Sequence, residues 1–340
     1  MQKKTKISLK NYNSFGVDVL SSNFNIVNSE KEIVSFINKK SRLNEPIILG
    51  GGTNILFKKN VDRNILKIKI KGIELIKETK DYVIISVGAG EVWNDLVNWT
   101  INNDFGGLEN LSLIPGNVGG APIQNIGAYG VELKDTFKNC RTISIKNGSL
   151  RIFKNSECNF SYRSSIFKEK LKNKYIISYV TFKLSKRNHK INCSYKPLRE
   201  AIKSNNILNP TIKNISELVC KIRSIKLPDP KLIGNCGSFF KNPVIKKFDY
   251  EKLCEKEKDI PFYIISKKKV KIPAAWLIEK CGYKGIRNGN TGTYNKHALI
   301  IVNYGNASGN EIFKFSQKIK KTVLRKFNIL LEEEVNIIEN

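Results

Sequence analysis

Two kinds of residue in this chain of 340 stand at spacings that could do chemistry. The first is glycine. Gly50, Gly51 and Gly52 run directly into Thr53 and Asn54, and residues 106 to 130, GGLENLSLIPGNVGGAPIQNIGAYG, hold seven of the 23 glycines. Neither stretch, nor GAGEVW at 88 to 93, is a GxGxxG fingerprint, and no GxxxxGK[ST] occurs, so neither a Rossmann nor a P-loop phosphate site is indicated. Two readings stand. The glycines are tight turns in a compact sheet, or they form a cradle whose bare backbone N–H groups hold an anion without any lysine. The cradle agrees with the charge pattern: from Asp81 to Leu133 there is no Lys or Arg, where the chain's average would put about nine. Leu, Ile, Val, Pro, Gln and Asn interleave with the glycines without repeating, which marks an ordered loop rather than a linker.

The second is a hydroxyl. In GNCGSFFKNP, residues 234 to 243, Gly237 and Ser238 precede Phe239 and Phe240, a serine presented on a turn with an aromatic wall behind it. This is not the G-x-S-x-G elbow of hydrolases. A lone turn serine is more often there for its local hydrogen bonds, so spacing alone leaves both a catalytic and a structural role open. Other chemistries have less to draw on. There are only two histidines, His189 and His297, and the seven cysteines contain no CxxC pair. Neither a metal centre nor a disulfide framework is expected.

The elements that must position these residues read first as an α/β half. Residues 46 to 57 place two apolar runs around the three glycines, giving strand, sharp turn and strand. Residues 82 to 90 form a β-branched strand. The following EVWNDLVNWTINN puts Trp93, Leu96, Val97, Thr100 and Ile101 on one helical face, with Glu91 and Asp95 early, where the helix dipole favours anions. Two more strands are expected near 141 to 146 and 175 to 184. Residues 185 to 210 are polar, basic and weakly periodic, a boundary or inserted loop. Beyond it come a helix near 214 to 225 with Ile215, Leu218, Val219, Ile222 and Ile225 in one stripe, stopped by LPDP. Helices near 273 to 281 and 309 to 327 and a last strand near 329 to 338 complete the pattern.

Composition narrows the classes. The length suits two domains, and 41% hydrophobic residues supply a core for each. No apolar run, Ala298 to Val302 included, approaches the roughly 20 residues of a bilayer span, and the basic start has no apolar stretch behind it. A reduced, cytosolic protein is expected. The formal charge of +29 suggests nucleic acid, yet only 10 of 59 basic residues are arginine. The lysines are scattered through an Ile-, Asn- and Lys-rich chain, which indicates a compositional bias rather than a binding surface.

Taken in order, NSFG (13 to 16), GGGTN (50 to 54), GLENLSLIPGNVGGAPIQNIGAYGVEL (107 to 133), YRSSIFK (162 to 168), KLPDP (226 to 230), GNCGSFFKNP, AAWLIEKCGYKG (274 to 285) and LEEEV (331 to 335) resemble the UDP-N-acetylenolpyruvoylglucosamine reductase family over about residues 11 to 338. The resemblance implies an α+β protein. It would have a two-lobed FAD-binding domain of the vanillyl-alcohol-oxidase (PCMH) type at 1–188 and a linker or substrate-covering loop at 189–210. An α/β substrate-binding domain would follow at 211–340, with the C-terminal strand closing the site. It implies reduction of UDP-N-acetylglucosamine enolpyruvate to UDP-N-acetylmuramate for bacterial peptidoglycan, by a cytoplasmic monomer using FAD and NADPH and having no specific nucleic-acid or membrane partner.

The same resemblance assigns roles. Ser238 matches the family's proton donor, Arg163 the arginine engaging the substrate carboxylate and developing enolate, and Glu334 the glutamate holding the enol. FAD would lie on Gly50, Gly51, Gly52, Thr53, Asn54, Gly116, Asn117, Gly119, Gly120, Gln124, Asn125, Gly127 and Ala128. Lys226, Asn242 and His297 match contacts to the nucleotide, Tyr195 a residue of the covering loop, and Tyr129 one lining the same pocket. LEEEV stands where the family has LEPEV, and period-two alternation puts Glu332 and Glu334 on one face and Glu333 on the other. Cys236 stands where alanine is common. The alternatives are an FAD-dependent sugar or alcohol oxidase of the same fold, or a basic nucleic-acid-binding protein. Oxidases of this fold often tether FAD through histidine; neither histidine here is near a glycine loop, so FAD is expected to be non-covalent.

Overall fold

The computed structural model describes residues 1–4, 6–39 and 45–339. It divides into two compact units, each discontinuous in sequence: residues 1–7, 21–52 and 62–225, and residues 8–20, 53–61 and 226–340.

The first unit has two sheets. In one, strands Gln2–Lys4, Leu20–Val27, Val61–Ile68 and Ile47–Leu49 lie side by side, the last pair parallel with Leu49 opposite Lys67. In the other, Leu150–Lys154, Phe137–Ser144, Tyr175–Ser185, Tyr82–Gly88 and Ile73–Glu78 are neighbours in that order, all antiparallel. Helix α1 (Glu30–Asn38) starts where the Ser29 hydroxyl accepts the Glu32 N–H, an N-cap. Helix α2 (Trp93–Asn102) buries Trp93, Leu96, Val97 and Thr100, as its spacing predicts. The Trp93 indole donates to the Leu111 carbonyl at 2.9 Å and meets Phe182 edge-on at 6.0 Å. That burial, on the order of 3 kcal/mol for so large a side chain, pins the glycine string to α2.

Residues 106 to 130 carry only the helical turns Glu109–Leu111 and Val118–Gly120 and one side of a small hairpin, Gly127–Ala128 with Val131–Glu132. Leu108, Leu111, Val118, Ala121 and Ile126 are buried. The lack of lysine follows from this path through the core, where an ammonium would lose its water without a partner.

Helices α3 (Lys196–Ser204) and α4 (Ile212–Lys226) follow. Leu198 packs with Ile215, Leu218 and Val219 beside Tyr129 and Tyr195. This cluster keeps residues 189–225 in the first unit, so the compact units are cut at other points than 188 and 211, and α3 occupies part of the stretch expected to be loop. Ile225, expected on the buried stripe of α4, is 57% exposed.

The second unit is built on an antiparallel sheet of Gly234–Ser238, His297–Asn303, Thr291–Tyr294 and Arg287–Asn288. Helix α5 (Lys247–Lys256) accompanies a small sheet of Val244–Lys246, Lys269–Lys271 and Tyr263–Ser266. Helices α6 (Ala274–Lys280) and α7 (Gly309–Phe327) pack through Trp276 and Phe327, 5.8 Å apart. A capping box between Ser308 and Glu311 opens α7, and Asn328 in the left-handed region closes it. The N-terminal NSFG belongs here: a Cβ on Gly234 would lie 2.2 Å from the Phe15 carbonyl oxygen, and Asn303 donates to that oxygen. The strand expected over 329 to 338 is regular only at Asn336–Ile338, parallel to Ile55–Phe57. Among the described residues no helix is long and apolar enough to cross a membrane.

Candidate active site

In the first unit the two glycine loops meet. A Cβ on Gly51 would lie 2.8 Å from the Asn117 side-chain oxygen and 2.9 Å from the Gly116 Cα, so the loops interlock backbone to backbone. Gly52 and Gly116 have φ of +70° and +120°, values that side chains resist. Among the described residues the N–H groups of Gly51 and Gly52 donate to nothing. Nothing lies within 4 Å of a Cβ on Gly120. Asn117 donates to the Gly90 carbonyl, and Asn125 spends its amide on Glu132, the Ser161 carbonyl and the Lys134 N–H. Lys67 donates to the Gly50 carbonyl. Burial, with the charges of Lys69 and Lys71, lowers its pKa to about 8.

Arg163, at φ +53°, donates to the Gly127 carbonyl at 2.7 Å. A Cβ on Gly127 would crowd that guanidinium at 3.2 Å. One hairpin thus joins an expected cofactor residue to an expected catalytic one. Tyr129, on the same hairpin, meets Tyr195 edge-on with ring centroids 5.2 Å apart. Its hydroxyl accepts a hydrogen bond from Arg223, a residue of α4 that sequence reasoning missed. The available signal was its position four residues after Val219, continuing the buried row that contains Ile215 and Val219.

In the second unit Ser238 ends its strand after Gly237, whose φ is +72° and whose N–H donates to the Asn235 side chain. Residues 332–334 pair with 239–241: the Glu334 N–H donates to the Phe239 carbonyl at 2.8 Å and the Lys241 N–H to that of Glu332 at 2.9 Å, around a bridge between Phe240 and Glu333. Each glutamate side chain of LEEEV has a separate setting. Glu333 binds Lys320 and Gln317 of α7, and Glu332 pairs with Lys241. Glu334 lies near enough to the buried Cys236 to help burial push that thiol's pKa up. Cys236 therefore stays a neutral thiol.

The remaining expected residues of this unit fall in three places. Asn242 accepts the Ala274 N–H at the start of α6. His297 is held neutral by burial and by the charges of Lys226 and Lys284, with Nδ1 accepting the Leu299 N–H. Asn54 donates to the Glu334 carbonyl and accepts from Asn336, so Thr53 and Asn54 group with the second unit, whereas Gly50 to Gly52 belong to the first.

Known proteins match over the same ranges. Residues 229–338 match the model for the UDP-N-acetylenolpyruvoylglucosamine reductase C-terminal domain, and residues 24–153 match an FAD binding domain. A UDP-N-acetylenolpyruvoylglucosamine reductase of Flavobacterium johnsoniae is 49% identical over 99% of this chain and 100% of its own. The chain belongs to the UDP-N-acetylenolpyruvoylglucosamine reductase family. A family member from Pseudomonas aeruginosa is 38% identical over 97% of both chains. The crystal structure of the Thermus caldophilus reductase, 22% identical, shares the fold with a TM-score of 0.67 over 99% of each chain. Members are flavin-dependent oxidoreductases that use FAD with NADPH as reductant. The interlocked glycine loops, with free N–H groups and no side chain in the way at Gly120, fit the diphosphate of such a cofactor.

Proposed function

We propose that the chain reduces UDP-N-acetylglucosamine enolpyruvate to UDP-N-acetylmuramate at the expense of NADPH, as a cytoplasmic monomer, and that Arg163, Ser238 and Glu334 carry the chemistry. The observation behind this reading is the pairing of residues 332–334 with 239–241, which ties Glu334 to the strand end bearing Ser238 in a family whose reaction needs a proton at one carbon. FAD, when bound, supplies to carbon 3 of the enolpyruvyl group the hydride received from NADPH. The glycine loops would hold that cofactor through backbone N–H groups.

Negative charge then develops on carbon 2, conjugated with the carboxylate. Arg163 stabilises it with a guanidinium already fixed by the Gly127 carbonyl, so little reorganisation is needed. Ser238 donates its proton to carbon 2, forming the C–H bond that completes the lactyl ether. A serine is a weak acid, but an enolate carbon is strongly basic and the donor is held in place. Glu334 holds the enol and the proton-transfer site. Lys226, Asn242 and His297 take the nucleotide, with Tyr129 and Tyr195 lining the substrate's cover.

Ser238→Ala separates the two halves of the reaction. In stopped flow, flavin reduction by NADPH should stay within about tenfold of wild type. Reoxidation by the enolpyruvyl substrate should slow by about 10² to 10⁴, or roughly 3 to 5 kcal/mol of barrier. Equal slowing of both steps would make Ser238 a structural residue of its turn and sink the assignment.

A further inference from the structure

Lys67 is a half-buried cation that the chemistry above leaves unused. It lies on the strand Val61–Ile68, and its ammonium donates to the Gly50 carbonyl, a neutral acceptor. Among the described residues no carboxylate pairs with it. The strands on either side, Leu20–Val27 and Ile47–Leu49, contain no titratable residue at all. At the far end of its own strand Asp62 accepts from Ser22, and Arg63 donates to the Glu45 carbonyl. The glycine turn at 88 to 90 packs on the residues just beyond that strand, a Cβ on Gly90 lying 2.6 Å from the Lys69 carbonyl carbon. The acid that follows this turn, Glu91, is committed to Lys71 at 3.0 Å and to the Gly72 N–H at 2.7 Å. The charges that bear on Lys67 are therefore Lys69 and Lys71, both of its own sign.

A buried charge in this setting costs stability, and burial with the two like charges holds the amine down at about 8. A neutral carbonyl meets only part of an ammonium's demand, whereas an anion meets it in full. Gly50 runs directly into Gly51 and Gly52, whose N–H groups donate to nothing among the described residues. Two backbone donors and a cation without an acid thus share one turn. The stretch from Asp81 to Leu133, which supplies the second glycine loop, has no Lys or Arg. The parallel register that puts Lys67 opposite Leu49 brings a cation to the first loop from another strand.

We propose that Lys67 is the charged member of the cofactor cradle, a binding residue whose ammonium serves the diphosphate of FAD. The inference rests on the reading of the glycine loops as that cradle. The diphosphate is chosen because it is the anionic part of FAD, and the free N–H groups of Gly51 and Gly52 adjoin the carbonyl that Lys67 holds. FAD binding then favours the charged amine. Below about pH 8 the amine carries its proton with or without FAD, and affinity is flat. Between about 8 and the ordinary 10.5 the flavin-free chain has lost a proton that the loaded chain keeps, so affinity falls as pH rises.

The test follows FAD released on dilution of the loaded enzyme, by flavin fluorescence, for wild type, Lys67→Met and Lys67→Arg from pH 7.5 to 9.5. At pH 7.5 Lys67→Met should raise the Kd for FAD by about 10- to 100-fold, the loss of a charge-assisted hydrogen bond. Lys67→Arg should bind more tightly than Lys67→Met. Wild-type Kd should rise by about 10- to 30-fold across the range. Both variants should be flat within about twofold, one having no charge to lose and the other a charge that does not titrate. Fragments then separate the parts of the cofactor. ADP, which has the diphosphate, should share the loss of affinity in Lys67→Met, and riboflavin, which has none, should not.

A wild-type pH profile that Lys67→Met reproduces, or an equal loss of riboflavin affinity, would make Lys67 a structural residue of its turn and overturn the proposal. Unchanged FAD affinity in Lys67→Met, with affinity lost in Gly120→Val, would do the same. If Gly120→Val also keeps full FAD affinity, the glycine loops are not the cradle, and the inference falls with that reading.

Discussion

At the scale of single residues, glycines in the two loops serve different ends. Gly51 is required by the protein itself, because any Cβ there would strike Asn117 and Gly116. Gly120 is exposed and its Cβ position is open, so no protein contact demands glycine there. Valine at the two positions should therefore fail differently. Gly51→Val should lower both the thermal midpoint and flavin occupancy, by several degrees for the on the order of 2 kcal/mol that overpacking costs. Gly120→Val should leave the midpoint of the flavin-free protein within about 1 °C, as surface changes do, while weakening FAD. Titration of apoprotein with FAD, followed by flavin fluorescence, checks this; unchanged FAD affinity in Gly120→Val would remove that turn from the cradle. Asn125 illustrates a similar division, since its amide is committed to its own loop and leaves only backbone for a cofactor.

At the scale of elements, the parallel register of Ile47–Leu49 with Val61–Ile68 puts Lys67 opposite Leu49, beside the entry to the first glycine loop. Its pKa of about 8, against an ordinary 10.5, has a consequence for stability. Below about pH 8 the folded and unfolded chains both carry the proton, and stability is flat on this account. Between about 8 and 10.5 the unfolded chain binds more protons, so stability rises with pH. Urea unfolding of wild type and Lys67→Met, both flavin-free, should diverge across that window. Wild type should gain on the order of 1 to 3 kcal/mol relative to the variant, the lower figure if solvent reaches the amine. Parallel curves would show that the ammonium keeps its water.

How much of these elements was legible depends on how local their determinants are. Helix α7 carries its own N-cap, stripe and C-cap, and the sequence bounds 309 to 327 coincide with the helix. Helix α3 buries only Leu198, too little apolar periodicity to separate it from a loop. The strand expected near 329 to 338 is regular only at Asn336–Ile338, because residues 332–334 form only a bridge across to 239–241. The site divides the same way. The glycine loops and the GNCGSFFKNP turn announce themselves by composition, but that the loops interlock at Gly51 is a property of tertiary structure. Arg223 and Lys67 escaped notice because a buried cation looks like any other among 59 basic residues.

At the scale of the whole molecule, the +29 charge and most of the candidate cofactor positions lie in different parts of the sequence. The 53 residues from Asp81 to Leu133, which include most of the candidate cofactor positions, have no Lys or Arg. Many lysines elsewhere make exposed pairs such as Lys284 with Glu279 at 2.8 Å or Lys186 with Glu78, worth little to stability. Lysine is a point charge without the bidentate fork that reads bases. Any association with DNA or RNA should therefore come from counterion release alone. Measured by fluorescence anisotropy, it should not distinguish sequences of equal length, and for a footprint of about six to ten phosphates it should weaken by about 10³ to 10⁵ between 50 and 200 mM salt. Polynucleotide should not inhibit NADPH oxidation at the higher salt, because binding by counterion release alone is lost there. Sequence-selective binding that survived 200 mM salt, or competition with the enolpyruvyl substrate there, would mean that the lysines form a surface with a function of its own.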